Sequence, residues 1–222
     1  MSQQTLAESM PIVNPVSIPV RRINYAKRKR ILDIVGSAVI LVVLFPLYVV
    51  TALLVALTSR GPVFYSSTRI GKGGKPFKFI KYRSMYVDAD KRLADLLVQN
   101  EREGPIFKMK QDPRITPLGR FMRKYSLDEL PQFIHVFVGQ MSLVGPRPPL
   151  PHEVEQYDDY CLQRLSIKPG MTCFWQIMGR SDLTFQEWMD LDHKYLREMS
   201  VWTDLKILVL TPLVVIRGKG AY

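Results

Sequence analysis

Along the chain, charged and apolar positions alternate at ordinary intervals except between Ile34 and Ser59, where no charged residue occurs. That run exceeds the roughly 20 apolar residues needed to cross a bilayer, and a soluble core helix of such length and composition is not expected. It begins too far from the amino terminus, and runs too long, to be the apolar core of a cleavable signal peptide. Both flanks are basic. Arg21, Arg22, Lys27, Arg28, Lys29 and Arg30 precede it, while Arg60, Arg69, Lys72, Lys75, Lys78, Lys81 and Arg83 follow before the next acid, Asp88. A spanning helix normally has its positive surplus on one side, so two basic flanks predict that both ends stay in the cytoplasm. Pro46, in the middle of the run, lacks an N–H and crowds the preceding turn. A break there leaves halves of about 12 residues, about 18 Å long, against a hydrocarbon core of about 30 Å. The pattern predicts a re-entrant helix–break–helix hairpin; the alternative is a Pro-kinked helix that spans.

The remaining pattern divides the chain into a flexible leader (1–26), the anchor (27–60) and a catalytic domain (61–222). Val63 to Tyr65 and Phe77 to Ile80, around a turn holding Gly71, Gly73 and Gly74, predict a short β-hairpin. The glycine cluster lacks a GK[ST] ending and dinucleotide-binding spacing, so it reads as a turn. Leu93, Leu96 and Leu97 form a stripe that predicts an amphipathic helix over Asp88 to Glu103. Leu127 to Val138 and Phe185 to Arg197 are further helices, and Val201 to Ile216 is an apolar helix interrupted by Pro212. The expected fold class is mixed α+β and helix-rich: a monotopic membrane protein with a small cytoplasmic catalytic domain.

Composition narrows the chemistry. Thirty-one Lys and Arg against twenty Asp and Glu give a net charge of +11, which favours nucleic acid, anionic lipid or phosphorylated substrates. Cys161 and Cys173 form no CxxC, and no histidine stands at ligand spacing, so neither a disulfide framework nor a zinc site is suggested. His135, His152 and His193 receive no role.

Within the basic chain, Asp128 and Glu129 stand together in Arg123-Lys124-Tyr125-Ser126-Leu127-Asp128-Glu129-Leu130-Pro131-Gln132. A capping box on Ser126 would put Pro131 where a helix already needs an N–H, so a start at Leu127 or Asp128 is preferred. Both acids then sit at the positive end of the helix dipole, which favours their ionised forms. A carboxylate so placed among cations can attack phosphorus and become an acyl phosphate, and its neighbour can hold a metal ion. Helix initiation alone is the plainer role for such acids. Gly145-Pro146-Arg147-Pro148-Pro149 holds an arginine between prolines, a rigid presentation that suits phosphate. Lys168-Pro169-Gly170-Met171-Thr172, Trp175-Gln176 and Gly179-Arg180 add a second basic, glycine-bearing stretch that reads as a loop near a nucleotide.

The ordered set PVFYSSTRIG, FKFIKYRSM, DPRITPLGRFMRKYSLDELPQ, GQMSLVGPRP and KPGMTCFWQIMGR, following a basic stretch and an apolar hairpin, resembles the bacterial sugar transferase family, the monotopic phosphoglycosyl transferases. The likeness extends over roughly Lys27 to Tyr222 and is similar to the exopolysaccharide-priming members that transfer galactose or glucose phosphate. It implies attack by Asp128 on the sugar-linked phosphate of a UDP-sugar, release of UMP, and transfer of the phosphosugar to undecaprenyl phosphate. Glu129 matches the partner acid, with Asp128 and Glu129 holding Mg²⁺. Arg123 and Arg147 match arginines near the phosphates, and Lys81, Arg83, Gln176, Arg180 and Asp192 lie in matching motifs. The resemblance also implies attachment to the bacterial cytoplasmic membrane, and leaves a homo-oligomer open. One departure is Phe45, where the family commonly has serine before the hairpin proline; other groups or water must satisfy the freed carbonyls. Two other readings remain: a non-catalytic basic scaffold for a polysaccharide assembly complex, and nucleic-acid binding. The latter ranks last, because the cations cluster beside the apolar run and no recognition motif is present.

Overall fold

The computed structural model describes residues 21–101, 104–107, 109–218 and 220. Most of the expected leader therefore lies outside the described residues. Helix α1 (Arg21–Val43) begins inside the expected leader and carries the basic flank into the uncharged run, and α2 (Phe45–Thr58) carries the rest. The two bend by 62°, and no single helix among the described residues is long and apolar enough to cross a membrane. The break falls at Leu44, ahead of Pro46. Proline disfavours helical backbone in the residue before it but is tolerated in a first turn, so the chain ends one helix and seats Pro46 at the start of the next.

Strands β1 (Phe64–Ile70) and β2 (Pro76–Tyr82) pair antiparallel, from Phe64 opposite Tyr82 to Ile70 opposite Pro76, a longer hairpin than the sequence indicated. Helix α3 (Ala89–Leu96) closes into a 3₁₀ turn, Leu97–Gln99, before the expected helix end. The Thr116 hydroxyl accepts the Gly119 N–H at 2.9 Å and starts α4 (Pro117–Lys124). The acidic pair follows on a 3₁₀ turn, Leu127–Gln132, that leads into α5 (Phe133–Val138). The segment expected as one helix is thus tighter in its first half, where Pro131 cannot donate an α-helical bond.

After β3 (Ser142–Val144) come α6 (Pro151–Val154), α7 (Asp159–Leu162), β4 (Gly170–Thr172) and α8 (Phe174–Met178). The chain ends in α9 (Phe185–Glu198), opened by a Thr184–Glu187 capping box, and α10 (Val201–Arg217), whose helical backbone continues through Pro212 rather than stopping there. The two short strands β3 and β4 run parallel, Ser142 beside Gly170 and Val144 beside Thr172. The Gly145 N–H bonds the Thr172 carbonyl at 2.9 Å and the Gly170 N–H bonds the Pro146 carbonyl at 2.8 Å. The KPGM stretch, read from sequence as a loop, is therefore the strand that fixes the Gly145–Pro149 segment in place.

The bent apolar pair is packed on the rest of the chain. Val55 joins a core with Tyr82, Met122 and Leu130, and Thr51 is also buried. The Tyr48 hydroxyl donates to the Leu130 carbonyl at 2.7 Å, and Tyr82 donates to the Tyr48 carbonyl at 2.9 Å. On α1, buried Asp33 accepts from the Ser142 hydroxyl at 2.8 Å and the Leu143 N–H at 2.9 Å. Arg30 donates to the Val136 and Phe137 carbonyls, each at 2.7 Å, at the end of α5. Tyr25 and Lys29 both reach Asp204 at 2.9 Å. Val35, Val39, Val42, Val50, Leu54 and Leu57 remain exposed on the outer face of the pair.

A Cβ on Gly170 would lie 2.1 Å from the Gly145 nitrogen. Backbone cannot retreat there without breaking the β3–β4 pairing. Gly170→Ala should cost about 2 kcal/mol or more, lowering the thermal midpoint by roughly 4–8 °C in a calorimetric scan.

Candidate active site

Elements distant in sequence meet around one cavity of about 350 Å³. The 3₁₀ turn supplies Asp128 and Glu129, β1 and β2 supply Arg69 and Lys81, α4 supplies Arg123, and the β3–α6 segment supplies Arg147. Gln176 and Arg180 enter from α8 and the turn after it. Seven of the nine residues singled out in the sequence thus line one wall system. Two do not. The Arg83 guanidinium is buried against the end of α2, donating to the Ser59 carbonyl at 2.8 Å and to the Arg60 carbonyl. Asp192 is buried in an ion pair with Arg164 at 2.7 Å, away from the cavity lining. Both therefore act as structural ties. Burial outweighs the attraction of Arg164 and lifts Asp192 to about 6.

The acidic turn is tightly held. Ser126 adopts a left-handed backbone (φ 54°), and its carbonyl accepts the Glu129 N–H at 3.2 Å. Tyr48 fixes the Leu130 carbonyl from below. Asp128 is 6% exposed, yet neither its carboxylate nor that of Glu129 takes part in a hydrogen bond or ion pair among the described residues. Burial, and then the adjacent Asp128, hold the Glu129 carboxyl above the ordinary carboxylate range, with Arg147, Lys81 and Arg180 opposing. At Glu129 desolvation and a like charge work against the helix-dipole contribution expected from sequence, so the net shift runs toward the protonated form rather than the ionised one.

Cations surround the pair. Burial, then Arg123, push Lys81 down to about 8, and burial, then Arg147, push Arg69 down to about 10. Arg123 is oriented by the Ser84 hydroxyl at 3.0 Å, and Arg147 lies 3.7 Å from Glu153. Arg180 is the most unusual: it is 5% exposed, has φ 53°, and none of its three guanidinium nitrogens finds a partner among the described residues. Burying an unpaired cation is costly, and such groups cluster where a ligand supplies the missing charge. Arg69 was missed by the sequence reading; its Nη1 donates to the Pro148 carbonyl at 3.1 Å and its guanidinium covers the Phe79 ring at 5.2 Å. Arg114, paired with Asp112 at 2.7 Å, and Trp175 also line the cavity. All three stand inside the motifs that carry the resemblance; Trp175 belongs to the stretch read as lying near a nucleotide, whereas nothing in the spacing of Arg69 and Arg114 marks them off from ordinary strand and loop residues.

A carboxylate pair without partners, ringed by cations, is suited to chemistry at phosphate. The model of the bacterial sugar transferase family matches residues 24–218. The chain belongs to this family. It is 47% identical over 196 residues to the galactosyl transferase CpsE of Streptococcus agalactiae, covering 87% of this chain and 43% of that protein. It is 40% identical over 222 residues to the UDP-glucose:undecaprenyl-phosphate glucose-1-phosphate transferase of Escherichia coli, covering 96% and 45%. It is also 35% identical over 226 residues to the exopolysaccharide production protein ExoY of Rhizobium meliloti, with the whole of both chains covered. The chain thus spans less than half of the first two relatives and all of the third. Within the family's fold the arginines divide into buried ties such as Arg164 and cavity-lining ones, of which Arg180 has no partner for its guanidinium among the described residues.

Their energetics should differ in sign. Arg164 carries a hydrogen bond to Tyr157 at 2.8 Å and to the Arg147 carbonyl at 3.0 Å besides its ion pair. Arg164→Met should destabilise by roughly 3–5 kcal/mol, because it leaves Asp192 buried without its partner. Arg180→Gln should leave the urea midpoint unchanged or raise it. A similar loss in both variants would show that Arg180 is also a structural tie.

Proposed function

We propose that this chain transfers a hexose-1-phosphate, galactose or glucose, from a UDP-sugar to undecaprenyl phosphate, as the priming step of exopolysaccharide synthesis. The observation that carries this reading is the buried, unpartnered Asp128 beside Glu129 in a cavity lined by Arg69, Lys81, Arg123, Arg147 and Arg180. The relatives' names supply the substrates: undecaprenyl phosphate and UDP-glucose in one, galactose in another.

In the first step an Asp128 carboxylate oxygen bonds to the sugar-linked phosphorus. The bond from that phosphorus to the bridging oxygen breaks, and its electron pair leaves on UMP. In the second step a phosphate oxygen of the lipid carrier bonds to the same phosphorus, and Asp128 departs as carboxylate. The chain's cations stabilise charge that develops on the phosphate oxygens, the main service a protein renders to phosphoryl transfer. Adjacent free carboxylates fit Mg²⁺, which takes one or two protein carboxylates together with substrate phosphates. Asp128 and Glu129 would hold it, and when bound it would neutralise phosphate charge. Among the described residues no three His, Cys, Asp or Glu converge, so this pair is their contribution.

The bent apolar pair supports reading it as a re-entrant anchor at the cytoplasmic face of the bacterial inner membrane. The exposed stripe Trp202, Leu205, Val209, Leu213 and Ile216 on α10 supports the same attachment. In this arrangement the Tyr48–Leu130 bond keeps the acidic turn close to the lipid phosphate.

Asp128→Asn should cut UMP release by at least about a thousandfold. Intact-mass analysis of the wild type with UDP-galactose or UDP-glucose should show a phosphohexose adduct that the variant lacks. Normal turnover in the variant would remove Asp128 as nucleophile. Because Lys81 is held near 8, it loses its charge as pH rises through that value; kcat/KM should fall over the same interval. Lys81→Arg should abolish that fall, since arginine stays protonated.

A further inference from the structure

A second cavity, about 410 Å³, opens beside the foot of α1 and shares no lining residue with the active cavity. Five cations face it, Lys29, Arg30, Lys72, Lys168 and Arg197, against one carboxylate, Asp33. The balance is even more positive than that count. Asp33 is already occupied by the Ser142 hydroxyl and the Leu143 N–H. Of the cations, only Lys29 has an acidic partner, Asp204. The Arg30 side chain donates to backbone carbonyls alone, and the side chains of Lys72, Lys168 and Arg197 make neither ion pair nor hydrogen bond among the described residues. Burial and then Arg30 hold Lys168 below the ordinary lysine value, with Asp33 opposing, so these charges crowd one another.

Lys168 belongs to the KPGM stretch that the sequence placed near a nucleotide. Its neighbour Gly170 lines the active cavity, but Lys168 faces the second one. The cavity is not purely polar, for Ile167, Leu196 and Met199 also line it. It borders the last charged turn of α1, and the uncharged run starts at Ile34, one residue past Asp33. There Ile31 and Val35 are 63% and 57% exposed. With the anchor in a bilayer, this is the depth of the headgroups.

We infer that this cavity binds the headgroup phosphate of an anionic phospholipid, with the cations on the phosphate and the apolar walls against the glycerol and upper acyl region. Surplus positive charge excludes a zwitterionic headgroup as the preferred occupant, and a cavity at headgroup depth beside an apolar surface favours a lipid over a soluble anion. The bound lipid bridges α1, the β1–β2 turn and α9, and so fixes the depth of the anchor. Its phosphate is not a substrate here, because the cavity holds neither Asp128 nor Glu129.

The test uses the full chain in neutral detergent and reads the thermal midpoint. Dihexanoyl phosphatidylglycerol near saturation should raise it by about 3 °C. Dihexanoyl phosphatidylcholine and glycerol phosphate at equal concentration should not. The Lys168→Gln/Arg197→Gln double variant should lose the shift, whereas Arg180→Gln, altered only in the active cavity, should keep it. Lys72→Gln, on a surface turn, should halve the shift and serves if the double variant does not fold. A full shift in the double variant or Lys72→Gln, loss of the shift only in Arg180→Gln, or an equal shift with phosphatidylcholine or glycerol phosphate would each overturn the assignment.

Discussion

The hydrogen bond from Tyr48 to the Leu130 carbonyl joins the apolar anchor to the turn that carries Asp128 and Glu129. Pro46 makes that contact available. By ending α1 at Val43 it turns α2 through 62° and lays Tyr48, Thr51 and Val55 on the domain instead of continuing away from it. Tyr82, on the strand that also presents Lys81, closes the link by donating to the Tyr48 carbonyl. A change in the anchor's angle would therefore move the acidic turn and the β2 cation together.

Positive charge in this chain serves two purposes that look alike in sequence. Arg30, Arg83 and Arg164 satisfy carbonyls or a buried acid and hold elements together. Lys81 is placed where burial and then neighbouring Arg123 work against its charge, and Arg180 where burial does so with Glu129 opposing. A fold tolerates such unrelieved charge only where surrounding structure over-determines it, and the β3–β4 pairing and the buried Trp188 frame the neighbouring Arg147. In the proposed reaction, stability is thereby traded for a cavity whose charges are arranged before the phosphates enter.

Two glycines show how the frame is built. Gly145 and Gly170 lie in motifs separated along the chain, yet their backbones touch, with no space for a side chain on either. That approach permits the parallel pairing of three-residue strands, and the pairing sets Arg147 over the cavity. Arg164 reinforces it by donating to the Arg147 carbonyl. The proline-bounded arginine is rigid on its own, but its direction comes from this contact.

The sequence by itself determined the local and compositional facts. Charge exclusion over Ile34 to Ser59 and the proline within it dictated a broken apolar pair, because helix length and the missing proline N–H are properties of the chain. The Asp128–Glu129 pair and the motifs around it named the family and most of the cavity lining. Tertiary structure alone decided which cations are free. Arg83 and Asp192 read like site residues and are structural ties, whereas Arg69 read like a strand residue and faces the cavity. Lys29 and Arg30 counted as a topological signal and are internal partners. Identity and spacing fix a side chain's charge and reach, but its partner depends on which distant backbone or carboxylate the fold brings within hydrogen-bond distance.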